Sequence, residues 1–403
     1  MPYIPRTLEP TVRKYLKYFP VVGITGPRQS GKSTMLEQML GSSYKYVSFD
    51  NLNFVNEFHS DPKKFMNKYS NHVIFDEVQR VPEIFSSIKI AVDNDRQNYG
   101  KFVVTGSSQF AFMKRVSESL AGRIGLLSLL PFQYSEIPTK LRDESIFRGG
   151  YPELVMRKYE PSHDWFTSYL DTYLTKDVRD LREIGDIRDF RRFIQMMAAR
   201  VAQILNMSDL ARDLGVSVPT IKKWISVLEA SYIVFLLPPF YKNIGKRLVK
   251  SPKIYFYDTG LVSYLTGVRN TELFENGPLY GQIFENYIVS EIMKRETHRK
   301  EDSELFYYRT SNGVEIDLII DRKTEQEYIE IKASETYRME MTRAIEQTKK
   351  ETERGYLLYC GKGEYSTPDL KVINYRDYLE QTEVREGKKQ KLATKTRRTR
   401  RAH

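Results

Sequence analysis

The sequence has very little of what disulfide scaffolds, zinc sites and membrane spans require. Its 403 residues include one cysteine, Cys360, which excludes an internal disulfide and a cysteine-based zinc site. The longest apolar run, residues 232–240, contains two prolines and is far shorter than the roughly 20 residues of a membrane-spanning helix. The N-terminus carries prolines and charges in place of the apolar core of a signal peptide. We therefore expect a cytoplasmic protein with no membrane partner.

Histidine is also scarce, which argues against several kinds of catalytic site. The five histidines are far apart and form no H-E-x-x-H pair. No serine lies in the G-x-S-x-G turn of α/β-hydrolases. Apolar residues make up 40% of the chain, which is sufficient for two or three hydrophobic cores at this length.

The net charge of +11 is concentrated in the last part of the chain. Residues 387–403 contain eight lysines and arginines and no acid, and without them the charge falls to +3. Such a tail either binds the phosphate backbone of DNA without sequence preference or is a solvated or non-native terminus. The charge alone does not decide between these alternatives.

Short apolar runs alternate with amphipathic stretches over the first 140 residues, which is typical of a parallel α/β sheet. Its predicted strands are residues 21–25, 46–49, 72–75 and 102–105. The region 141–205 predicts helices. Mixed α/β character returns after residue 269, with strands predicted at 305–308, 315–320, 328–331 and 356–359.

The strongest motif follows the first predicted strand and has the pattern G-x-x-x-x-G-K-[ST] of a phosphate-binding loop. Its candidate ATP-binding residues are Gly26, Pro27, Arg28, Gln29, Ser30, Gly31, Lys32, Ser33 and Thr34. The glycines allow backbone N–H groups to point at phosphates at the start of a helix. We expect Lys32 to span the β- and γ-phosphates and Ser33 to ligate Mg²⁺.

Asp76 and Glu77 end a later apolar strand and supply the acidic half of such a site. We expect Asp76 to hold Mg²⁺ through water and Glu77 to polarise the attacking water, so the pattern indicates hydrolysis. The next strand ends in a hydroxyl-rich stretch. Either Thr105 or Ser107 is a candidate to sense the γ-phosphate, or these residues form an ordinary polar strand end.

Together these segments resemble the AAA+-like ATPases that carry a C-terminal domain of unknown function, the DUF4143 type. The motifs that carry the resemblance are GPRQSGKS at 26–33, FDEVQ at 75–79, TGSSQF at 105–110, SLAGRI at 119–124, GGYPEL at 149–154, YLTKDVRDL at 173–181 and YFYDTGL at 255–261. The resemblance covers nearly the whole chain except the basic tail. It implies that Arg123 is an arginine finger or sensor, acting in cis or in trans. By itself, an arginine at this place in the sequence is more often a surface residue.

Two helices with a short turn are predicted between residues 207 and 229, followed by an apolar strand at 232–237. This is the order of a winged helix, whose second helix would present polar residues to a DNA groove. Those residues are Ser217, Thr220, Lys222 and Lys223. Such units also serve ATPases as structural or protein-contact domains, and both interpretations remain open.

Four residues near the C-terminus form a possible second catalytic site. Glu285 lies on a predicted helix, Asp317 on a strand, and Glu330 and Lys332 on one face of the next strand. This set resembles the core of PD-(D/E)xK nucleases, with isoleucine in place of the proline before Asp317. The resemblance implies a bound Mg²⁺ or Mn²⁺ and phosphodiester cleavage. The alternative is a degenerate fold that docks or holds DNA without cutting it.

The predicted fold class is α/β, with five segments. They are a P-loop ATPase core with a parallel sheet at 1–140, a helical lid or linker at 141–205, a winged helix at 206–268, a restriction-endonuclease-like α/β domain at 269–380, and a basic, disordered tail at 381–403. The predicted function is Mg²⁺-dependent ATP hydrolysis that drives or switches the nuclease-like domain on DNA. The alternative is a nucleotide-switched protein-interaction module that cuts nothing. The oligomeric state and the physiological substrate stay open.

Overall fold

The structure, a computed structural model, describes residues 3–106, 109–173, 186–240 and 250–380. The predicted tail, Ser107 and most of the motif at 173–181 therefore lie outside the described residues. The elements of the N-terminal region are α1 (Glu9–Tyr15), β1 (Val21–Thr25), α2 (Lys32–Leu40), β2 (Lys45–Ser48), α3 (Leu52–Ser60), α4 (Pro62–Lys68), β3 (Val73–Asp76), α5 (Ile84–Asp93), β4 (Phe102–Thr105), α6 (Gln109–Ser119) and β5 (Ile124–Ser128).

The five N-terminal strands form one parallel sheet in the order β2-β3-β4-β1-β5. Their residues alternate between two hydrophobic cores, since Val21 lies on one face while Val22 and Ile24 lie on the other. All strands run the same way, so the ends of β1, β3 and β4 meet at one edge. The predicted parallel α/β fold of this region is confirmed.

The edge strand β5 was not predicted from the sequence. It contains Gly125, which has low strand propensity, and its outer residues are only half-buried. A side chain at this glycine would clash with Tyr15 and Phe19, because a Cβ atom there would lie 2.5 Å and 2.6 Å from their rings. The glycine therefore allows the end of α1 and the chain after it to pack directly on the strand.

The middle of the chain is mainly helical and includes one small sheet. Its elements are α7 (Arg142–Arg148), α8 (Pro152–Met156), α9 (Ser162–Tyr173), α10 (Ile187–Ala199), α11 (Met207–Leu214), α12 (Val218–Ala230), β6 (Val234–Leu237) and β7 (Lys253–Phe256). Strands β6 and β7 are antiparallel. The apolar faces of α11 and α12 share a core that includes Leu210, Leu214, Ile221 and Trp224, as the sequence pattern predicts.

The C-terminal region consists of helices and a six-stranded mixed sheet in the order β12-β13-β11-β10-β9-β8. Its elements are α13 (Thr259–Thr266), α14 (Thr271–Glu275), α15 (Tyr280–Arg299), β8 (Glu304–Arg309), β9 (Glu315–Asp321), β10 (Gln326–Lys332), α16 (Arg343–Thr348), β11 (Arg354–Tyr359), β12 (Tyr365–Ser366) and β13 (Leu370–Asn374). Strand β10 pairs antiparallel with β9 and parallel with β11.

One hydrophobic core extends from the middle helices through α15 to the six-stranded sheet, between Phe132 and Leu379. The segment boundaries that the sequence analysis places at 140, 205 and 268 stay predictions. In the described ranges, no helix combines the length and apolar character needed to cross a lipid bilayer.

Two of the sequence motifs meet at Gly149. The Asp258 carboxylate accepts hydrogen bonds from the Gly150 N–H at 2.7 Å and from the Leu261 N–H at 3.2 Å, where it caps α13. Gly149 has φ 78° and ψ −170°, a backbone conformation that only glycine adopts readily. A Cβ atom at residue 149 would lie 2.1 Å from Asp258 Oδ1.

We expect Gly149→Ala to lower the free energy of unfolding by about 2–4 kcal/mol, because it adds both backbone strain and a clash. The matched control is Gly267→Ala, at φ 80° but with no atom within 4 Å of the new Cβ, which should cost about 1 kcal/mol. Urea unfolding followed by tryptophan fluorescence measures both, since Trp165 packs on the neighbouring Tyr151. Equal losses would contradict the clash.

Candidate functional site

The phosphate-binding loop connects β1 to α2 and depends on residues with unusual backbone angles. Gly26 has φ 142°, Gln29 has φ 61° and Gly31 has φ 90°. A Cβ atom at Gly26 would lie 2.1 Å from the Leu129 carbonyl oxygen of the chain after β5, so this position requires glycine. The loop ends at the N-terminus of α2, and a helix N-terminus favours an anion.

Lys32 lies inside this loop. Its ammonium donates hydrogen bonds to the carbonyls of Gly26 and Pro27 at 3.0 Å and 2.8 Å. A cavity of about 400 Å³ opens in front of it. The lining residues are Arg28, Gln29, Gly31, Lys32, Ser33, Thr34 and Glu77, together with Tyr169 and Thr172 of α9.

Asp76 lies where β3 ends and accepts three hydroxyl hydrogen bonds. The donors are Ser33 at 3.2 Å, Tyr46 at 2.6 Å and Thr105. Strand β4 lies between β1 and β3 in the sheet, which places Thr105 beside the carboxylate. Mg²⁺ prefers oxygen ligands, so the Ser33 hydroxyl and the Asp76 carboxylate fit a magnesium ion. The contribution of Tyr46 was missed, because one tyrosine in a strand gives no sequence signal.

Glu77 follows Asp76 with φ 54°, a left-handed conformation that turns the chain directly after the strand. Its N–H donates to Thr105 Oγ1 at 3.4 Å, and its carboxylate accepts a hydrogen bond from the Gln79 amide. Glu77 lines the same cavity as Lys32 and Ser33. The structure therefore brings Lys32, Ser33, Asp76, Glu77 and Thr105 together.

Arg123 is not brought to this cavity. It precedes β5, and its backbone carbonyl accepts from Val21 at the start of β1, roughly 15 Å of strand away from the loop. Its guanidinium pairs with the Asp93 carboxylate at 2.7 Å and 3.0 Å. The structure therefore gives no support for a role of Arg123 in cis, since the strand length separates it from the site. A role in trans stays a prediction.

A second cavity of about 640 Å³ lies beside the first and was not predicted. Both cavities are lined by Gly31 and Thr34, so they are neighbours on the loop. The second is mainly apolar, with walls that include Ile4, Phe132 and Met156. These residues come from distant parts of the chain, which explains why no local motif indicates the cavity.

Arg6 also stabilises the loop through a hydrogen bond to its backbone. Its guanidinium donates to the carbonyls of Ser30 and Leu130, both at 2.7 Å, and to Glu136 at 3.2 Å. Burial acts against the charge of Glu136, but the positive charge of Arg6 keeps the pKa of this carboxyl below its ordinary value.

His298, near the end of α15, closes the same network. Its Nε2 accepts from the Leu130 N–H at 3.0 Å. Burial lowers the pKa of His298 to about 3, so the ring is neutral. Helix α15 also begins near the C-terminal carboxylates, so it connects the two regions.

Tyr232 contacts the end of the strand that leads into the phosphate-binding loop. It lies in the turn between α12 and β6 with φ 57°. Its hydroxyl lies 2.7 Å from Thr25 Oγ1 and 3.0 Å from Ser128 Oγ. Thr25 directly precedes the loop, so the turn after α12 is hydrogen-bonded to the end of β1.

The four residues predicted as a nuclease-like site also come together. The ammonium of Lys332 lies 2.5 Å from Glu330 and 3.8 Å from Asp317. Burial and the charge of Asp317 raise the pKa of Glu330 to about 8 and that of Glu285 to about 7. The pKa of both glutamates is thus raised in part by the same carboxylate, Asp317.

Lys253 and Glu315 belong to the same cluster and were missed. Lys253 comes from β7 and reaches Glu315 at 2.6 Å, Glu285 at 3.0 Å and Asp317 at 3.8 Å. Among the described residues, no group of three or more histidines, cysteines, aspartates or glutamates is placed to hold a metal ion. Asp317 and Glu330 are predictable from the strand pattern, whereas Lys253 comes from another sheet.

Family models match three consecutive regions of the chain. Residues 18–138 match an AAA domain, and residues 139–272 match a domain of unknown function, DUF8612. Residues 280–378 match a second domain of unknown function, DUF4143. The AAA match contains the phosphate-binding loop and the acidic pair.

An uncharacterized protein of Mycobacterium tuberculosis, Rv2008c, is 30% identical over 370 residues, covering 91% of this chain and 82% of that protein. The chain belongs to the family of AAA-domain ATPases with a C-terminal DUF4143 domain. An uncharacterized protein of Methanocaldococcus jannaschii, MJ1544, is 23% identical over 390 residues, covering 88% and 82%. Membership of this AAA–DUF4143 family implies binding of ATP and Mg²⁺ by the N-terminal domain.

Solved structures are similar to the chain only distantly. The Walker-type ATPase PABY2304 of Pyrococcus abyssi has a TM-score of 0.45 at 14% identity, covering 66% of this chain and 98% of that one. DnaA of Aquifex aeolicus bound to AMPPCP has a TM-score of 0.29 at 12% identity, covering 55% and 85%.

The buried neutral His298 predicts acid sensitivity. The pKa is lower in the folded chain than the ordinary 6.5 of the unfolded one, so stability present above pH 6.5 is lost as the pH falls towards 3. One proton corresponds to about 1.4 kcal/mol per pH unit. We expect His298→Gln to make the decline between pH 6.5 and 4 shallower by this amount in urea unfolding. The control is His163→Gln at an exposed histidine; slopes that all agree would contradict the assignment.

Proposed function

We propose that the protein is an Mg²⁺-dependent ATPase whose nucleotide state is transmitted to a non-cutting C-terminal domain. The observation that carries the ATPase assignment is that Lys32, Ser33 and Glu77 line one cavity, with Asp76 hydrogen-bonded to Ser33. A phosphate-binding loop alone would indicate binding. The second acid beside the cavity supports hydrolysis.

The side chains of this cavity have separate roles in the proposal. Lys32 would release its loop carbonyls and bind the β- and γ-phosphates, and Ser33 and Asp76 would hold a Mg²⁺ ion, which would supply neutralising charge. Glu77 orients and polarises a water molecule, and the Gln79 amide holds its carboxylate. Thr105 is the proposed γ-phosphate sensor, and its hydrogen bonds to Asp76 and to the Glu77 N–H support this role.

The neighbouring apolar cavity is the proposed site for the base and sugar of ATP. It lies beside Gly31 and Thr34, so a nucleotide bound through its phosphates would extend into it. Its walls include Ile4 and Met156, which offer apolar surface to a planar base.

Helix α15 is the proposed route from the ATP site to the C-terminal domain. Arg6 binds the backbone of the loop and Glu136, and the Leu130 N–H donates to His298. Toward its N-terminal end, the same helix carries Glu285 in the carboxylate cluster. A change in the loop that moves Arg6 would therefore act on both ends of one rigid element.

The cleavage hypothesis is supported by the convergence of Asp317, Glu330 and Lys332. Against it stands Lys253, whose ammonium lies among the carboxylates that a metal ion would need. We therefore adopt the alternative in which the nuclease-like fold binds a partner without cutting it. DNA remains a proposed partner, because Lys222 and Lys223 are exposed on α12. Contact through the basic tail is likewise a proposal.

Lys32→Ala should abolish ATP turnover, because it removes the charge that bridges the phosphates. Glu77→Gln should retain ATP binding and lower turnover by about 10²–10⁴-fold, the usual contribution of a general base. Phosphate release with Mg²⁺, together with fluorescent ATP-analogue binding, measures both effects. The matched control is Lys63→Ala at an exposed lysine of α4. Near-normal hydrolysis by Lys32→Ala would refute the assignment.

The same preparations should leave linear and branched DNA intact with Mg²⁺ or Mn²⁺. Asp317→Ala is the reference variant for this assay. Cleavage by the wild-type chain that disappears only in Asp317→Ala would establish a working nuclease and overturn the non-cutting assignment, without affecting the ATPase result.

Transmission predicts slower hydrogen exchange in residues 291–299 when a non-hydrolysable ATP analogue and Mg²⁺ bind. Mass spectrometry of wild type and Lys32→Ala measures this, and the variant should show no change. An effect confined to the N-terminal domain would remove the proposed route and leave the ATPase assignment standing.

A further inference from the structure

The carboxylate cluster of the C-terminal region contains a cation that comes from outside the six-stranded sheet. Lys253 lies on β7, which pairs with β6, and its side chain is only 3% exposed. Its Nζ is 2.6 Å from Glu315, 3.0 Å from Glu285 and 3.8 Å from Asp317. One ammonium group thus contacts acids from α15 and β9.

Strand β7 is fixed in this position by neighbouring contacts. The Asn286 side chain exchanges hydrogen bonds with the backbone of Phe256, at 2.7 Å and 3.1 Å. The Tyr255 hydroxyl donates to Glu285 Oε1 at 2.6 Å. These bonds hold β7 against α15, so the backbone of Lys253 is fixed close to the carboxylates.

Some of the carboxylate oxygens that a metal ion would need already accept hydrogen bonds. A magnesium ion requires oxygen ligands at about 2.1 Å on several sides. Here Glu285 Oε1 already accepts from Lys253 and Tyr255, and Asp317 Oδ2 accepts from the Ile331 N–H at 2.9 Å. The residues present therefore do not fit a divalent ion while the lysine is in place.

Because Lys253 is buried and its carboxylate partners are buried or half-buried, each charge depends on the other for its stability. A buried ammonium is tolerated only when carboxylates surround it, and buried carboxylates likewise need a counter-charge. Lys332 pairs with Glu330 and lies 3.8 Å from Asp317, and Arg309 pairs with Glu315 at 3.1 Å. Lys253 is thus the cation that faces both Glu285 and Glu315.

We propose that Lys253 is the resident cation of this carboxylate cluster and takes the place of a divalent metal, so that the cluster binds the β6–β7 sheet instead of Mg²⁺. The cluster then connects the middle region to the C-terminal region through the ion pairs of Lys253. The inference rests on the non-cutting part of the proposed function and is independent of ATP hydrolysis.

The test uses the full chain without nucleotide and Mn²⁺ as the probe, with free Mn²⁺ measured by electron paramagnetic resonance. The wild-type chain should hold no Mn²⁺ that depends on Asp317. Lys253→Met removes the charge at similar volume, and it should bind about one Mn²⁺ per chain, as expected for a site of several carboxylates. Lys253→Met combined with Asp317→Asn should lose that ion.

Lys253→Arg keeps the positive charge and is the conservative control, so it should behave as the wild type does. Lys253→Met should also unfold at a lower temperature than wild type, and Mn²⁺ should restore part of the difference. Mn²⁺ binding by the wild-type chain that Asp317→Asn abolishes would overturn the proposal, even if Lys253→Met failed to fold. So would a folded Lys253→Met chain that neither loses stability nor gains the ion. ATP turnover measured in parallel shows whether the ATPase assignment stands separately.

Discussion

The nucleotide site depends on one buried cation, the guanidinium of Arg6. The phosphate-binding loop has left-handed residues that would be costly without external support, and Arg6 supplies it by binding the Ser30 carbonyl. The same group binds Leu130 and Glu136, so the loop, the chain after β5 and the N-terminal segment are held at one point. Because this point is buried, breaking one of its contacts would leave a buried polar group without its partner.

Much of the N-terminal site is predictable because its signals are local. The loop sequence, the strand before it and the acids after β3 each lie within a few residues, and parallel strands necessarily bring their ends together. Arg123 shows where this reasoning fails. Its motif is local, but its position at the opposite end of β5 follows from the register with β1, and its pairing with Asp93 crosses 30 residues of chain.

In the C-terminal site, the residues of one strand were predictable, whereas the contact between separate elements was not. Period-two spacing on β10 brings Glu330 and Lys332 to one face, which a sequence reveals. No pattern in the sequence links Lys253 to Glu285, since the pairing depends on how β7 lies against α15. That helix is also buried on most sides, and its charged residues Glu291 and Lys294 pair with each other at 2.7 Å instead of facing water. Amphipathic periodicity therefore describes it poorly.

The charge cluster that contains Lys253 does not coincide with the region that the DUF4143 family model matches. The DUF4143 match begins at residue 280, so it includes Glu285, Glu315 and Asp317 and excludes Lys253. Electrostatic contact adds Lys253 to them. A homologous unit that recombined with a different upstream region would keep these acids together with Arg309 and Lys332, but it would lose the Lys253 ammonium. The boundary of the family match and the boundary of the charge cluster therefore differ by the strand that carries Lys253.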